Sequence, residues 1–215
     1  DMLETGDDII FFWCARMLMM GLILTDRLCF SRIYLHGLIL DSKGRKMSKS
    51  LGNGIDPIEI IEEYGCDAMR FALCEYATPA QNMKLDIRKF SSSKKLLTKF
   101  RNTMKFSAEH SGSQILSKHE DDIEILSRLD NISNQTKTML DNCEFHLYAQ
   151  RLRTFLYEDY SGWYIEKAKR RIFDGDDEAK STISVLMDAT LKLFHPIIPF
   201  TTEQIYMNKY PDDLL

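Results

Sequence analysis

Apolar residues near the start of the chain follow two different patterns. Between 8 and 22 they recur every three or four positions, which predicts a helix that Gly21 can end. Between 32 and 40 the run RIYLHGLIL is apolar on both faces, which favours a buried strand of an α/β sheet. Gly37 within this run indicates a point where another group comes close to the backbone.

Beyond a glycine-containing loop, helical patterns take over. Asp56 as N-cap, Pro57 in the first turn and Gly65 as C-terminal cap predict one short helix, and a second is expected over 67–76. Longer helices are predicted over 87–109, 122–143, 145–173, 177–193 and 201–209. The last of these has a capping-box pattern, Thr201 followed by Gln204. The pattern predicts an α/β remnant, a small connector and an all-α bundle.

Composition excludes several classes of protein. Apolar residues make up 44% of the chain and charged residues 28%, which is typical of a globular protein, and the net charge of −4 argues against nucleic-acid binding through overall charge. The five cysteines are scattered without a C-x-x-C pair, which argues against a zinc ribbon and fits a reducing, cytoplasmic compartment. The run Ile9 to Leu24 is short for a bilayer span and contains Arg16, so no membrane association is expected.

Charge is distributed unevenly over the predicted bundle. Residues 86–118 contain eight basic and two acidic side chains, a net charge of +6, whereas residues 119–147 contain two basic and seven acidic ones, a net charge of −5. This contrast is compatible with a solvated helix beside an acidic neighbour. It is equally compatible with a first helix that faces a polyanion.

The most specific motif is the loop sequence KMSKS at 46–50. Lys46 and Lys49 place two ammonium groups together on a glycine-flanked loop, beside the hydroxyls of Ser48 and Ser50. Such a set can hold a triphosphate and stabilise the charge that develops during displacement at the α-phosphorus. Taken alone, the motif would be interpreted as an exposed basic turn.

The motif does not stand alone. The segments TGDDIIFFWCARMLMMG, LHGLILDSKGRKMSKSLGN and IDPIEIIEEYGCDAMRFAL, with later tracts such as HPIIPFTTEQIY, resemble the class I aminoacyl-tRNA synthetases over nearly the whole chain. Within that family the similarity is greatest to the valyl-type enzymes, because Ile9-Ile10 stands where isoleucyl and leucyl relatives carry Gln-His. The resemblance implies the C-terminal remnant of a Rossmann-type domain with the KMSKS loop (1–55), a connector (56–88) and an anticodon-binding bundle (89–215).

The resemblance also implies roles for individual residues. Gly6 and Asp8 would bind the adenosine ribose, although Asp8 can also be a helix N-cap. His36 and Gly37 would lie near adenine, and Trp13 would form a wall of the amino-acid pocket unless it is simply core. Five loop residues would hold the phosphates of ATP, and two of them, Lys46 and Lys49, would be the catalytic pair. The five are Lys46, Met47, Ser48, Lys49 and Ser50.

The implied partners are ATP with Mg²⁺ as substrate, valine and tRNA, with no protein-bound metal and a monomeric state. Arg88 and Lys89 are candidates for phosphate contacts, and Phe106 is a candidate for stacking on an anticodon base. Packing in the core is an equal alternative for Phe106.

The chain departs from the family in lacking the His-x-Gly-His signature, the editing domain and the C-terminal arm of valyl-type enzymes. We therefore expect the isolated chain not to form an adenylate. Three alternatives stay open at this point: an isoleucyl- or leucyl-type fragment, a non-catalytic tRNA-binding helical module, and a helical interaction protein whose loop is vestigial.

Overall fold

The computed structural model describes residues 1–48, 50–113, 115–211 and 213–215. Strand β1 (Met2–Gly6) precedes a helical stretch made of a 3₁₀ turn (Asp7–Ile9), a π-helical segment (Ile10–Ala15) and helix α1 (Arg16–Thr25). Strands β2 (Arg32–His36) and β3 (Ile39–Leu40), helices α2 (Pro57–Tyr64) and α3 (Cys66–Tyr76), and strand β4 (Met83–Lys84) follow.

The remaining elements are helical. They are α4 (Ile87–Glu109), α5 (Glu120–Asp141), α6 (Phe145–Thr154), a π-helical segment (Phe155–Tyr164), α7 (Ile165–Phe173), α8 (Asp177–Phe194) and α9 (Pro199–Lys209). A mostly α chain that begins with α/β structure is therefore confirmed. The helix predicted over 145–173 is one continuous helical stretch whose middle is π-helical.

The strands form two parallel pairs. β1 pairs with β2 with Gly6 opposite His36, and β3 pairs with β4 with Ile39 opposite Met83. The single strand predicted over 32–40 is wrong, because the chain leaves the first pair after His36 and joins a second pair at Ile39. β1 was not predicted at all.

Short polar side chains define several helix starts. The carboxylate of Asp56 accepts a hydrogen bond from the backbone N–H of Ile58 at 2.8 Å, and Asp86 does the same for Arg88 at 2.9 Å. The predicted Thr201 cap is wrong, because α9 begins earlier, at Pro199. Instead, the Thr201 N–H donates to the buried carboxylate of Asp67 on α3 at 2.6 Å.

The first apolar helix differs from its prediction in extent and burial. The helical residues Asp7–Thr25 run through Gly21 and end where Asp26 adopts a left-handed conformation (φ 53°). At 19 residues the helical stretch is, by length and composition alone, long and apolar enough to cross a bilayer, so the expectation that it is too short is wrong. Most of its residues are not buried.

One large core unites α3 with the bundle. Its aromatic centre contains Phe71 from α3, Phe100 from α4 and Phe194 from α8, with the rings of Phe100 and Phe194 4.7 Å apart. At the edge of this core, the guanidinium of Arg153 pairs with the buried carboxylate of Glu75. Helix α3 is thus fixed to the bundle by both apolar packing and an ion pair.

A buried ion pair joins the bundle helices to one another. The fully buried carboxylate of Asp122 on α5 accepts two hydrogen bonds from Arg171 on α7, at 2.8 and 2.9 Å. It also accepts from the Tyr164 hydroxyl at 2.9 Å and the Ser117 hydroxyl at 2.7 Å. Burial acts to raise the pKa of Asp122, but hydrogen bonds from Arg171, Ser117 and Tyr164 outweigh it and hold the pKa below its usual value.

The strands contact the bundle at the turn between α5 and α6. Arg32 on β2 donates to the backbone carbonyl of Asp141 at 2.6 Å, and the rings of Tyr34 and Phe145 lie 5.4 Å apart, edge to face. Since carbonyls at a helix C-terminus have no partner within the helix, a cation is favourable there. This contact fixes the strand pair to one end of the bundle.

Candidate functional site

The carboxyl ends of two neighbouring strands define the candidate site. Because β1 and β2 are parallel, Gly6 and His36 end side by side. In open α/β sheets, ligands bind outside the carboxyl ends of the strands. The segments that follow these two ends therefore supply the groups available to a ligand.

Gly6 leaves space for the carboxylate of Asp8. A Cβ atom on Gly6 would lie 2.7 Å from Asp8 Oδ1 and 3.7 Å from His36 Cε1. The first distance is too short for any side chain, so a larger residue at position 6 would displace the carboxylate. Gly6, Asp8 and His36 thus form one contiguous surface, although thirty residues separate Gly6 from His36 in the sequence.

The lysine loop reaches this surface through Lys46. Its ammonium nitrogen lies 2.6 Å from Asp8 Oδ2, and both side chains remain open to solvent, at 55% and 38% exposure. The hydrogen bond from Lys46 is the main cause that holds the pKa of Asp8 below its usual range. An exposed ion pair of this kind is weak, so hydroxyl or phosphate groups of a ligand can compete for either partner.

Two further loop residues, Met47 and Ser48, line a mostly apolar cavity of about 730 Å³, whose wall includes Ile39, Ile60 and Phe90. The hydroxyl oxygens of Ser48 and of the exposed Ser50 lie 3.2 Å apart. Lys49, the second predicted catalytic lysine, lies outside the described residues.

The close approach predicted at Gly37 comes from the protein's own backbone. A Cβ atom there would lie 1.7 Å from the carbonyl oxygen of Gln81, which only glycine permits. The neighbouring Leu38 N–H donates to the Asn82 side chain at 2.8 Å, and His36 Nδ1 lies 3.1 Å from the Gly37 carbonyl oxygen. The absence of a side chain at Gly37 therefore lets the segment of Gln81 and Asn82 pack against the strand ends.

Trp13 lies in the π-helical segment that follows Asp8. It is 39% exposed, and Cys14 is the buried residue of this segment. Trp13 is therefore not a core residue in the part of the chain that the structure describes. π-Helical turns inside helices are frequent at functional sites.

The candidate RNA-binding residues lie at opposite ends of α4. Arg88 is 92% exposed at the first turn and pairs with Asp86 at 2.6 Å, while the Lys89 ammonium lies 4.2 Å from the ring centroid of Tyr76. Phe106 lies 18 residues after Arg88, which corresponds to about 27 Å along a helix. The two sets are too far apart to contact one phosphate or one base together.

Phe106 belongs to an aromatic cluster that the sequence did not reveal in full. Its ring stacks on His110 at 4.4 Å and meets Phe173 edge-on at 6.3 Å. Phe106 itself is partly buried and packs against the bundle core, and Phe173, which is 62% exposed, brings the cluster to the surface. The i, i+4 spacing of Phe106 and His110 was a signal for this pair, but the contribution of α7 could not be read from it.

No cluster of three or more metal-ligating His, Cys, Asp or Glu side chains occurs among the described residues. All five cysteines are free thiols.

Comparison with known families divides the chain into two matched regions. Residues 1–86 match the profile of the class I tRNA synthetases for isoleucine, leucine, methionine and valine, and residues 122–214 match the anticodon-binding domain of tRNA ligases. The valine–tRNA ligases of Thermotoga maritima and Fervidobacterium nodosum are 41% and 40% identical to this chain over 96% of its length. The chain spans about a quarter of the length of these relatives, 24% and 25%.

Solved structures share the fold. A LeuRS–tRNA–LeuAMS ternary complex from Agrobacterium radiobacter matches all of this chain with a TM-score of 0.82 at 17% identity, over 28% of its own length. Methionyl-tRNA synthetase of Mycobacterium tuberculosis with methionyl-adenylate matches 96% of the chain with a TM-score of 0.75 at 19% identity, over 43% of its own length.

Proposed function

We propose that this chain, which belongs to the class I aminoacyl-tRNA synthetases, is part of a valine–tRNA ligase. In this proposal, residues 1–55 belong to the catalytic domain, 56–88 form the connector and 89–215 form the anticodon-binding bundle. The observation that carries the proposal is the convergence of Gly6, Asp8, His36 and Lys46 at the ends of two parallel strands, with Lys46 and Asp8 2.6 Å apart.

The strand ends would hold the nucleoside of ATP. Asp8 would accept a hydrogen bond from a ribose hydroxyl, and Gly6 would let the ribose approach. The backbone of His36 and Gly37 would lie beside adenine. Because Asp8 now pairs with Lys46, ATP binding would separate the two side chains, one toward the ribose and the other toward the phosphates.

The loop would hold the polyphosphate. Lys46 and Lys49 would bind the oxygens of the leaving pyrophosphate, and Ser48 and Ser50 would donate hydrogen bonds to phosphate. Met47 would anchor the loop in the apolar cavity. Fixed cations at the point where charge develops stabilise the transition state more than the ground state.

The reaction would proceed in two steps without a covalent enzyme intermediate. The valine carboxylate would attack the α-phosphorus of MgATP, giving valyl-adenylate and pyrophosphate. A hydroxyl of the terminal tRNA ribose then attacks the valyl carbonyl and AMP leaves. Trp13 would form one wall of the pocket for the valine side chain, and positioning with electrostatic stabilisation would supply the catalysis.

The bundle would bind tRNA along α4. Arg88 and Lys89 would contact backbone phosphates near the connector, and Phe106 would stack on an anticodon base at the far end. Separation of these residues along a single helix suits an extended partner such as an RNA stem. We propose that the enzyme acts as a monomer in the cytoplasm.

ATP–pyrophosphate exchange by the full-length protein that carries this sequence tests the proposal. Valine should support exchange more efficiently than isoleucine by roughly 10- to 200-fold, the range that one methylene can provide. Preference for isoleucine or leucine would contradict the assignment to valine. Binding of tRNA without exchange for any of the three amino acids would indicate an RNA-binding module instead.

The isolated chain provides a second experiment. None of its five histidines forms the His-x-Gly-His pair that the family uses on ATP. We expect the 215-residue chain alone to show no valine-dependent exchange, and exchange by it would contradict this part of the proposal.

A further inference from the structure

An aspartate and an asparagine that no step above uses lie directly behind the lysine loop. Asp41 follows β3 and is 8% exposed, and Asn53 lies twelve residues later, after the loop. The Asn53 amide nitrogen donates to Asp41 Oδ2 at 3.0 Å. We call this pair the loop clamp.

Asp41 organises the turn that leads into the loop. Its Oδ1 accepts the backbone N–H groups of Lys43 and Arg45 at 3.0 and 2.8 Å, and its Oδ2 accepts the Arg45 guanidinium at 2.9 Å. Hydrogen bonds from Asn53 and from the Arg45 backbone hold the pKa of Asp41 far below its usual range. The carboxylate is therefore ionised, acceptor-only and surrounded by donors at neutral pH.

Asn53 connects that turn to the loop backbone. Its amide oxygen accepts the N–H of Ser48 at 2.9 Å, and its amide nitrogen lies 3.3 Å from the carbonyl oxygen of Lys46. These two groups flank Met47 on both sides. Only a primary amide supplies the two donors and one acceptor that this arrangement needs.

The clamp determines where the Lys46 side chain points. Lys46 pairs with Leu40 in an antiparallel bridge, and the Met47 N–H donates to the Ile39 carbonyl at 3.2 Å, so this part of the loop is extended. In extended chain, successive side chains point to opposite faces. Fixing the backbone on both sides of Met47 therefore directs Met47 into the apolar cavity and Lys46 toward Asp8.

We infer that Asp41 and Asn53 are positioning residues for phosphate binding by Lys46, which hold the loop backbone in the orientation that the reaction requires. This inference rests on the proposed function. The hydrogen bonds given above for the two side chains run to the turn, the loop and each other, and the core of the bundle takes no part in them. Loss of the clamp should accordingly affect turnover more than stability.

The test uses the full-length protein and compares Asn53→Ala, Asp41→Ala and the double variant. Either single variant removes the amide–carboxylate hydrogen bond, so the second substitution should add little to the loss caused by the first. Asn134→Ala is a matched control, because Asn134 donates to Asp130 at 3.2 Å on the exposed face of α5. The measurement is kcat and KM for ATP and for valine in pyrophosphate exchange.

We expect each single variant to lower kcat by about 10- to 100-fold, the effect of misplacing a catalytic group by about 1 Å. The KM for valine and the thermal midpoint should stay close to those of the wild type and of Asn134→Ala. The double variant should lose little more kcat than the weaker of the two single variants. Single variants that turn over at the wild-type rate, or losses that multiply in the double variant, would overturn the inference.

Amide hydrogen exchange distinguishes failure of this inference from failure of the proposed function. In the wild type the Ser48 amide should be protected by Asn53, and Asn53→Ala should accelerate exchange in peptides covering 46–48. An inactive wild type with this acceleration would refute the proposed function and, with it, the role assigned to the clamp. If the wild type is active and the 46–48 peptides of the wild type and of Asn53→Ala exchange at equal rates, the role of the clamp is refuted and the proposed function is not.

Discussion

The first 55 residues and the helical bundle are built in opposite ways. In the first region, the buried apolar residues are Cys14 and Phe30, and large side chains such as Phe11 and Phe12 are more than 70% exposed. The bundle and α3 instead share a continuous core that runs from Ala68 to Ile198. The groups suited to phosphate chemistry thus lie in the sparsely packed region, and the groups suited to holding shape lie in the densely packed one.

Each region contains an ion pair, and the two pairs differ in their exposure to solvent. Asp122 is fully buried and Arg171 is 19% exposed, and two hydrogen bonds join them, so the pair holds α5 and α7 together. Asp8 and Lys46 are joined at a similar distance but exposed, so a ligand can replace either partner. Equal geometry therefore does not imply equal function, and exposure to solvent decides between structural and exchangeable pairs.

The largest expected effect tests the structural pair. Asp122→Ala should lower the free energy of unfolding by about 3 kcal/mol, the lower end of the range for breaking a buried ion pair. The variant leaves the partly buried Arg171 with Asp176 as a partner but without Asp122, and it removes the acceptor of the Tyr164 hydroxyl. Asp130→Ala, on the exposed face of the same helix, is the control and should change it by less than about 0.5 kcal/mol. Urea denaturation of the chain measures both, and equal values for the two variants would contradict the distinction.

The next effect tests the exchangeable pair. Lys46→Ala should lower kcat for valine-dependent pyrophosphate exchange by roughly 100- to 1,000-fold in the full-length protein, because a fixed cation at the developing charge is lost. Its unfolding midpoint should not move, since the pair is exposed. Lys43→Ala, in the turn before the loop, is the matched control. If Lys46→Ala instead lost stability and retained turnover, the pair of Asp8 and Lys46 would be structural and not exchangeable.

A smaller effect is expected at the far end of α4. Phe106→Ala should weaken tRNA binding by about 10-fold, at the lower end of the range for loss of one stacked base. Phe106→Trp keeps an aromatic face and should bind within about twofold of wild type by the same reasoning. Filter binding at fixed salt measures both variants, and equal weakening would point to packing against His110 and Phe173 instead of stacking.

The smallest effect concerns Arg88. Its replacement by alanine should weaken tRNA binding modestly and reduce the slope of log affinity against log salt by about 1, as for one phosphate contact. Lys137→Ala, on the acidic helix α5, should leave the slope unchanged. An unchanged slope in both variants would mean that Arg88 serves only its ion pair with Asp86.

Local signals predicted most of the bundle. The bounds 87–109 of α4 were predicted from the apolar repeat alone, and the structure adds that the Asp86 side chain caps the helix. Thr201 carried an equally local signal but failed, because Asp67 on α3 supplies the hydrogen bond at the start of α9. The pattern within one helix predicts the start of that helix unless a side chain from another helix supplies the capping hydrogen bond.

The candidate site was harder to predict because its contacts are long-range. The motif identified Lys46, and the family resemblance identified Asp8, but nothing in either segment predicts that their side chains meet. β1 was missed because Met2–Gly6 contains polar residues and pairs with a strand thirty positions away. Gly37 signalled a close neighbour, yet Gln81 could be recognised as that neighbour only from the structure.

The central claim is that the strand ends and the lysine loop together form the ATP site. Hydrogen exchange of the full-length protein with and without saturating ATP tests this most directly. We predict slower exchange in peptides covering 5–8, 36–37 and 46–48, with α5 and α8 unchanged. Two results would contradict this assignment of the ATP site. In the first, ATP slows hydrogen exchange only in the bundle. In the second, ATP slows it in none of the three segments although the protein still catalyses valine-dependent pyrophosphate exchange.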